Sequence, residues 1–215
     1  MLGLMLKDML NLKKQIKTIG IILVLYAVIF IPQNNAEFIS GMMAMISVMM
    51  SLSLFSIDEA SKWDKYALSM PITFKDVVLS RYLISIFFIL VSAILGFLAL
   101  IISSKLVQNI PLKEIGINIG VVLAVGLIII SIITPLIYKF GAEKGRILVF
   151  VVFLVPTVLV LLWGKIADKF NISNPSPEII NEIINILPYI APLILILVLV
   201  SSYFISINIY RKKEF

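Results

Sequence analysis

The residues best suited to chemistry or recognition lie in one charged stretch, residues 56–81, which separates two long apolar runs. We call it the charged segment. Asp58 and Lys62 have the i, i+4 spacing of an acid–base pair on a helix, and Trp63 follows them directly. Charges around one large aromatic side chain are typical of a surface that recognises another protein, where the aromatic residue anchors and the charges set the register.

Two short helices are predicted within the charged segment. Ser56 with Glu59, and Thr73 with Asp76, have the spacing of capping boxes, each of which would start a helix. Pro71 would separate the two helices, because a proline disfavours helical geometry in the residue before it. The alternative interpretation is a solvated loop that carries helix caps and has no partner.

Several kinds of chemistry are excluded or disfavoured by the residues that the chain lacks. It has no cysteine and no histidine, which excludes thiolate zinc sites, cysteine nucleophiles and histidine acid–base catalysis. No Gly-x-x-x-x-Gly-Lys-Ser/Thr phosphate loop is present, so any ATP would have to be hydrolysed by another polypeptide. No charged residue lies within the apolar core of a predicted span, which disfavours ion-coupled transport. We expect no catalytic, cofactor or metal site on this chain.

The composition predicts an all-α integral membrane protein, because 61% of the residues are hydrophobic. Six apolar runs are candidate transmembrane helices, and together they form a single domain over residues 1–215. They are Thr18–Ile31, Phe38–Ile57, Tyr82–Ile102, Ile115–Tyr138, Ile147–Trp163 and Pro188–Ile209. The first is short, at about 21 Å of helix, and crosses a bilayer only if Ile16 joins it and Lys17 extends its ammonium group toward the headgroups.

The positions of the basic residues predict the orientation of these spans. If the N-terminus is cytoplasmic, 14 lysines and arginines fall on the cytoplasmic side and 4 on the outside, as the positive-inside rule requires. Omitting the first span would reverse every later loop. We therefore expect a multi-pass membrane protein with both termini in the cytoplasm, and with the charged segment there too. Lysine outnumbers arginine 15 to 3, which is typical of an AT-rich bacterial genome, so the membrane is expected to be the cytoplasmic membrane of a bacterium.

Two further amphipathic stretches flank the predicted spans. Residues 1–17 have apolar side chains largely on one side and are predicted to form a helix lying in the cytoplasmic interface. Residues 176–187 carry an isoleucine-rich face and are predicted to form an outer amphipathic helix, with Pro188 starting the last span.

The second span combines small residues with methionines. Its small residues fall on one helical face: Ser40, Ala44, Ser47 and Ser51. Met45 and Met49 lie among them, and methionine adapts to varied apolar surfaces, so this helix is a candidate wall of a cargo path. The alternative is ordinary close packing of helices. Pro156, in the middle of the fifth span, is predicted to kink that helix.

With these features, the chain resembles the permease subunits of ABC-2-type transporters, in particular a small Gram-positive branch that includes permeases for phenol-soluble modulins and antimicrobial peptides. The residues that carry the resemblance are Gly3-Leu4-x-x-Lys7-Asp8, Phe55-x-x-Asp58-Glu59-x-x-Lys62-Trp63-Asp64-x-Tyr66-Ala67-Leu68-Ser69-x-Pro71 and Val78-Leu79-Ser80-Arg81-Tyr82. The resemblance extends over the whole chain.

The resemblance implies a separate ABC ATPase subunit that binds ATP and Mg²⁺ and docks on the cytoplasmic face. The residues implied for this contact are Asp58, Glu59, Lys62, Trp63, Asp64 and Tyr66 in the charged segment, with Lys139, Glu143 and Arg146 as a second contact. Residues 1–17 would be a connecting helix that also touches the ATPase.

The resemblance also implies two permease chains, alike or different, that enclose a path for hydrophobic or amphipathic cargo, with peptides foremost. The lipid bilayer is a further partner, and nucleic acid is not expected. Two alternatives stay open: a permease of the same build that senses or confers immunity to antimicrobial peptides, and a membrane scaffold with no ATPase.

Overall fold

The structure is a computed structural model that describes residues 2–33, 35–68, 73–106, 110–169 and 177–212. These ranges contain helices and short turns and no strand. The helices are α1 (Leu2–Phe30), α2 (Ala36–Ala60), α3 (Trp63–Leu68), α4 (Phe74–Leu106), α5 (Leu112–Phe140), α6 (Ala142–Lys169) and α7 (Pro177–Arg211). The prediction of an all-helical protein is confirmed for the part of the chain that the structure describes.

Four of these helices are long and apolar enough to cross a membrane. The qualifying stretches are Glu37–Ala60, Phe74–Leu106, Leu112–Phe140 and Ile186–Arg211. They correspond to the second, third, fourth and sixth predicted spans. Lys17–Phe30 is a shorter apolar stretch of α1. The count of six spans therefore stays a prediction for the first and fifth spans.

The N-terminal helix differs from the prediction. An interfacial helix over residues 1–17 and a separate first span were expected, but α1 is one continuous helix of 29 residues, about 43 Å long. The reason is tertiary packing along its length. Leu12 is fully buried in a cluster with Met50, Leu54 and Phe88 of α2 and α4, so the predicted interfacial part follows these helices into the bundle.

The last helix also differs from the prediction. Pro188 was expected to separate an outer amphipathic helix from the final span, but α7 continues through Pro188 and Pro192 as one helix of 35 residues. A proline removes one backbone hydrogen bond, whereas breaking the helix in an apolar environment would leave several backbone groups unpaired. The side chains of residues 176–185 lie outside the described part of the structure.

The two predicted capping boxes have different outcomes. Thr73 and Asp76 form the predicted box: the Thr73 backbone N–H donates to Asp76 Oδ2 at 3.0 Å, and the Asp76 N–H donates to Thr73 Oγ1 at 3.3 Å. Ser56 and Glu59 do not start a helix, because both lie inside α2, where the Ser56 hydroxyl donates back to the Leu52 carbonyl. Residues 69–72, which include Pro71, lie outside the described residues.

The long helices meet at one end of the bundle, which we call the charged end. The N-terminus of α1, the C-terminus of α2 and the N-terminus of α4 lie there and are joined by ion pairs. The C-termini of α5 and α7 join them, because Tyr138 contacts Tyr210 and Phe55, with ring centroids 5.2 and 5.4 Å away. Both the beginning of α1 and the end of α7 therefore lie at the same end of the molecule.

A buried hydroxyl network holds α7 against α4 and α5 next to the charged end. The Tyr82 hydroxyl lies 2.6 Å from Ser202 Oγ and 2.9 Å from Ser206 Oγ. The Ser202 hydroxyl in turn donates to the Ser131 carbonyl. All of these groups are buried, so the network fixes the register of three helices beside the charged end.

Candidate functional site

Four charged side chains from three helices form a compact ion cluster at the charged end. The Arg81 guanidinium of α4 binds two carboxylates: Nη1 donates to Asp8 Oδ2 of α1 at 3.0 Å, and Nη2 contacts Asp58 Oδ2 of α2. The Lys7 ammonium lies 2.8 Å from Asp58 Oδ1 and 3.1 Å from Asp8 Oδ1. Two cations therefore alternate with two anions, and the cluster as a whole is neutral.

The ion cluster is withdrawn from solvent. Asp8 is 1% exposed, Arg81 4% and Asp58 9%. Moving such charges out of water is costly, and the cost is offset only because each charge contacts an opposite charge at close range. The planar guanidinium suits this position because its fork of donors can bind two carboxylates at once, which a lysine could not do.

Aromatic rings enclose the cluster and tie the short helix α3 to it. The Lys7 ammonium lies 4.0 Å from the centroid of the Trp63 ring at the start of α3. The Arg81 guanidinium lies 5.3 Å from the Phe55 ring in α2. Both distances are within the range of cation–π attraction. Trp63 therefore packs against the N-terminal helix of its own chain, and α3 is positioned by α1 as well as by its covalent link to α2.

Glu59 joins α2 to the turn between α5 and α6. Its Oε2 accepts a hydrogen bond of 2.6 Å from the backbone N–H of Ala142, the first residue of α6. A carboxylate is favourable at this position because the N-terminus of a helix carries unpaired N–H groups and a partial positive charge.

The turn that receives Glu59 requires glycine. Gly141, with φ of +86°, is the sole residue between α5 and α6. A Cβ atom at Gly141 would lie 3.0 Å from Glu59 Oε1. Both the backbone conformation and the close approach of the carboxylate therefore disfavour a larger residue. The predicted second contact loop, residues 139–146, is thus a sharp corner held directly by the charged segment.

The residues predicted for partner contact differ in their contacts and in their exposure. Asp58, Glu59 and Trp63 contact other parts of this chain, as described above. Lys62, Tyr66, Lys139 and Glu143 are exposed. Tyr66 is 67% exposed, and Lys62 has a left-handed backbone with φ of +51°, which turns the chain from α2 into α3. The side chains of Asp64 and Arg146 lie outside the described part of the structure.

The exposed residues form a corner whose base is fixed. We call Ser61, Lys62 and Tyr66 the α2–α3 corner. Directly beneath it, the ion cluster binds α1, α2 and α4, and Glu59 binds α6. A force applied at the corner would therefore reach four long helices through close polar contacts.

The sequence interpretation missed the ion cluster, in which Asp58 pairs with Lys7 and Arg81, and Arg81 also pairs with Asp8. Lys7 and Asp8 belong to the N-terminal motif, and Arg81 ends the charged segment, but nothing in the local pattern joins them across 51 to 73 positions. The sequence does contain one signal for these contacts. Lys7 and Asp8 are adjacent charges among apolar residues, and charges that become buried need oppositely charged partners.

The predicted small-residue face of α2 is buried between α4 and α5. Ser40 Oγ donates to Asn118 Oδ1 at 2.6 Å, and a Cβ added at Gly96 would lie 3.1 Å from the Ser40 Cβ. Ala44, Ser47 and Ser51 are also buried. Met45 is 40% exposed and Met49 is half-buried, and both face a groove beside α1. The side chain of Pro156 is not described, so the predicted kink is untested.

Comparison with protein-family models matches residues 3–211 to the ABC-2 family transporter proteins. A search of curated proteins and a search of solved structures each give no match.

Proposed function

The chain belongs to the ABC-2 family of transporter proteins and is a multi-pass membrane permease subunit; on this premise, we propose that it serves an ATP-driven exporter. A separate ABC ATPase supplies the energy, since the sequence contains no phosphate loop. The cargo is hydrophobic or amphipathic, with peptides foremost, and it leaves the cytoplasm of a bacterium.

The observation that carries the coupling part of the proposal is the α2–α3 corner on its fixed base. To transmit its movement, the ATPase must contact an exposed surface of the permease. That surface must be attached rigidly to the transmembrane helices that are to move. Tyr66 and Lys62 offer the exposed surface. The ion cluster and the Glu59 contact supply the attachment to α1, α2, α4 and α6.

The proposed mechanism is movement of rigid bodies. ATP brings two ATPase subunits together, and each draws on the α2–α3 corner of one permease chain. The long helices then tilt as a unit, because the polar contacts at the charged end would be lost if one helix moved alone. A second permease chain faces the first, since one bundle of this size is too small to enclose a peptide.

The orientation in the membrane follows the distribution of charge. The charged end carries the start of α1, the described parts of the charged segment, the α5–α6 turn and the end of α7, and these regions contain most of the basic residues. We place this end in the cytoplasm under the positive-inside rule. Both termini are then cytoplasmic.

Site-specific photo-crosslinking tests the docking surface. A photoreactive phenylalanine analogue replaces Tyr66, and a matched variant carries it at Leu112, which is 76% exposed at the opposite end of the bundle. After irradiation of native membranes, mass spectrometry identifies the adducts. We expect a polypeptide with an ATPase phosphate loop to be attached at position 66 and absent at position 112.

Two results would count against the proposal. If position 66 captures no phosphate-loop protein although the variant is inserted at the normal level, the scaffold alternative is favoured. If the captured ATPase is found equally at position 112, the α2–α3 corner is not the docking surface. Peptide efflux is then compared between cells that make an endogenous peptide and cells that do not. Efflux of the endogenous peptide indicates secretion, and efflux of added antimicrobial peptide alone indicates immunity.

A further inference from the structure

We propose that Ser202 of α7 and Tyr82 of α4 form an interhelical joint at Pro135, the proline inside α5. Ser202 supplies the hydrogen bond that the proline denies to α5, and Tyr82 ties that bond to α4. As a result, α7 and the C-terminal end of α5 move with α4 during transport. The joint itself follows from contacts within this chain, whereas its part in movement rests on the proposed function.

Pro135 leaves one backbone carbonyl of α5 without its helical donor. In an α-helix each N–H donates to the carbonyl four residues earlier, so residue 135 would normally serve the Ser131 carbonyl. Proline has no N–H and cannot do so. An unpaired carbonyl is costly in an apolar environment, and in transmembrane helices a serine or threonine hydroxyl commonly replaces the missing donor. The Ser202 hydroxyl donates to this same carbonyl.

The protons of the buried hydroxyl network can be assigned by counting donors and acceptors. A carbonyl can only accept, so the Ser202 proton lies toward Ser131. The Tyr82 hydroxyl, 2.6 Å from Ser202 Oγ, must then donate to it. Ser206 Oγ lies 2.9 Å from the Tyr82 hydroxyl and must donate to it in turn. Three protons therefore make three hydrogen bonds that run in one direction and end on the carbonyl freed by Pro135.

The attachment of α7 to the bundle depends heavily on these hydroxyls. Among the residues of α7 whose side chains are described, the buried ones are Ser202, Ser206 and Tyr210. They are spaced four apart and form one narrow stripe along the helix. Within a membrane, apolar burial gives little drive to helix association, because lipid tails are as apolar as the side chains they contact. Close packing and interhelical hydrogen bonds must therefore hold α7 in place.

The position of Tyr82 connects the joint with the charged end. Tyr82 directly follows Arg81 on α4, and successive residues of a helix point about 100° apart, so their side chains contact different neighbours. Arg81 binds α1 and α2 in the ion cluster, whereas Tyr82 binds α7. The ion cluster and the Glu59 contact hold α1, α2, α4 and α6. The joint adds α7 and the C-terminal end of α5 to this group, and Tyr82 and Ser202 are thus positioning residues for transport.

A double-mutant cycle at positions 135 and 202 tests the joint on the full-length chain without the ATPase. Ser202→Ala removes the donor of the Ser131 carbonyl and should lower the midpoint of thermal unfolding in detergent by at least about 4 °C. Pro135→Ala restores a backbone N–H that can reach this carbonyl. In that background the loss caused by Ser202→Ala should therefore fall by about half or more.

Ser201→Ala is the matched control for the cycle. Ser201 is exposed, and its hydroxyl donates to the Val198 carbonyl within α7 at 2.9 Å. This variant should shift the midpoint by about 2 °C or less with either residue at position 135. The joint is overturned if Ser202→Ala costs the same with and without Pro135, or costs no more than Ser201→Ala.

A variant that does not fold still gives a decision. If Ser202→Ala alone fails to fold, recovery of folding when Pro135→Ala is added supports the joint, because only the restored backbone N–H has changed. If the double variant also fails to fold while Pro135→Ala alone folds, the Ser131 carbonyl is not the reason for the loss, and the joint is overturned.

Tyr82→Phe tests the part of the joint in transport. It keeps the ring, whose centroid lies 5.9 Å from that of Tyr203, and removes the hydroxyl, while Ser202 can still donate to the Ser131 carbonyl. The unfolding midpoint should therefore change by about 4 °C or less. The amount of fluorescent peptide transported per ATP hydrolysed, measured on the chain reconstituted with its captured ATPase, should fall at least about fivefold. A hydroxyl that only stabilised the fold would leave this ratio unchanged.

Failure of this inference and failure of the proposed function give different results. If Tyr82→Phe transports as much peptide per ATP as the wild type, the inferred movement of α7 with α4 is overturned. If the wild type itself transports no peptide, the proposed function fails, and the cycle at positions 135 and 202 still decides whether the joint exists.

Discussion

Replacing Arg81 by glutamine should destabilise the protein more than any other single loss of charge at the charged end. Arg81 is 4% exposed and binds Asp8 and Asp58, which are 1% and 9% exposed. The variant leaves two buried carboxylates with Lys7 as the one cation of the cluster. Breaking a buried ion pair by removing one partner costs about 3–5 kcal/mol.

Thermal unfolding in detergent measures this cost. For a chain of about this length, each kcal/mol lowers the unfolding midpoint by about 2–4 °C, so Arg81→Gln should lower it by about 6–20 °C. The matched control is Lys75→Gln, an exposed charge in the first turn of the same helix. A surface substitution of this kind changes stability by about 0.5 kcal/mol or less, or roughly 2 °C.

A double-mutant cycle distinguishes loss of the Asp8–Arg81 ion pair from a general loss of stability. Asp8→Asn combined with Arg81→Gln removes one of the stranded charges, so the double variant should be more stable than the sum of the single losses predicts, by about 1.5 kcal/mol or more. The reasoning is refuted if Arg81→Gln shifts the midpoint no more than Lys75→Gln does. It is also refuted if the effects at positions 8 and 81 are additive.

Three further predictions follow from the same contacts. Gly141→Ala should lower the free energy of unfolding, measured by chemical denaturation, by about 1–3 kcal/mol, because alanine would have to adopt φ of +86° and its Cβ would crowd Glu59 Oε1. A variant as stable as the wild type would contradict the account of that turn. Gly96→Leu should cost about 1–3 kcal/mol by pushing α4 from α2, whereas Gly116→Leu, in open space, should cost far less; similar midpoints would show that this packing is wrong. Tyr66→Ala should leave the unfolding midpoint within about 2 °C of wild type while it reduces stimulation of the partner ATPase; a large stability loss would indicate that Tyr66 is structural.

The global organisation could be read from the sequence because it depends on simple patterns. Long apolar runs predict helices that satisfy their own backbone hydrogen bonds, and four of the six proposed spans have the required length and composition. The Thr73–Asp76 capping box was also found from sequence, since its partners are three residues apart.

The breaks between helices were harder to predict because tertiary contacts override local signals. The serine and glutamate spacing at 56 and 59 is that of a capping box, yet α2 continues past it to Ala60. The expected boundary near Lys17 is likewise absent, because burial of Leu12 and the ion pairs of Lys7 and Asp8 hold α1 against α2 and α4.

The site itself was found only in part, for a related reason. The charged segment was identified by its composition, but the roles of its charges depend on distant residues. Asp58 pairs with Lys7 across 51 positions, and Glu59 accepts a hydrogen bond from Ala142 across 83. Reversing the charge at Asp58 would thus disturb folding before it reported on docking, whereas Lys62 and Tyr66 are exposed and test docking directly.

Transport in proteoliposomes tests the central proposal most directly. The chain and the ATPase captured at position 66 are reconstituted so that the ATP sites face outward, and a fluorescent amphipathic peptide is added with ATP and Mg²⁺. We predict that peptide accumulates in the vesicle lumen, that accumulation requires hydrolysable ATP, and that Tyr66→Ala reduces it. If ATP is hydrolysed at the same rate with and without the permease and no peptide accumulates, the chain is not the permease of an ATP-driven peptide exporter.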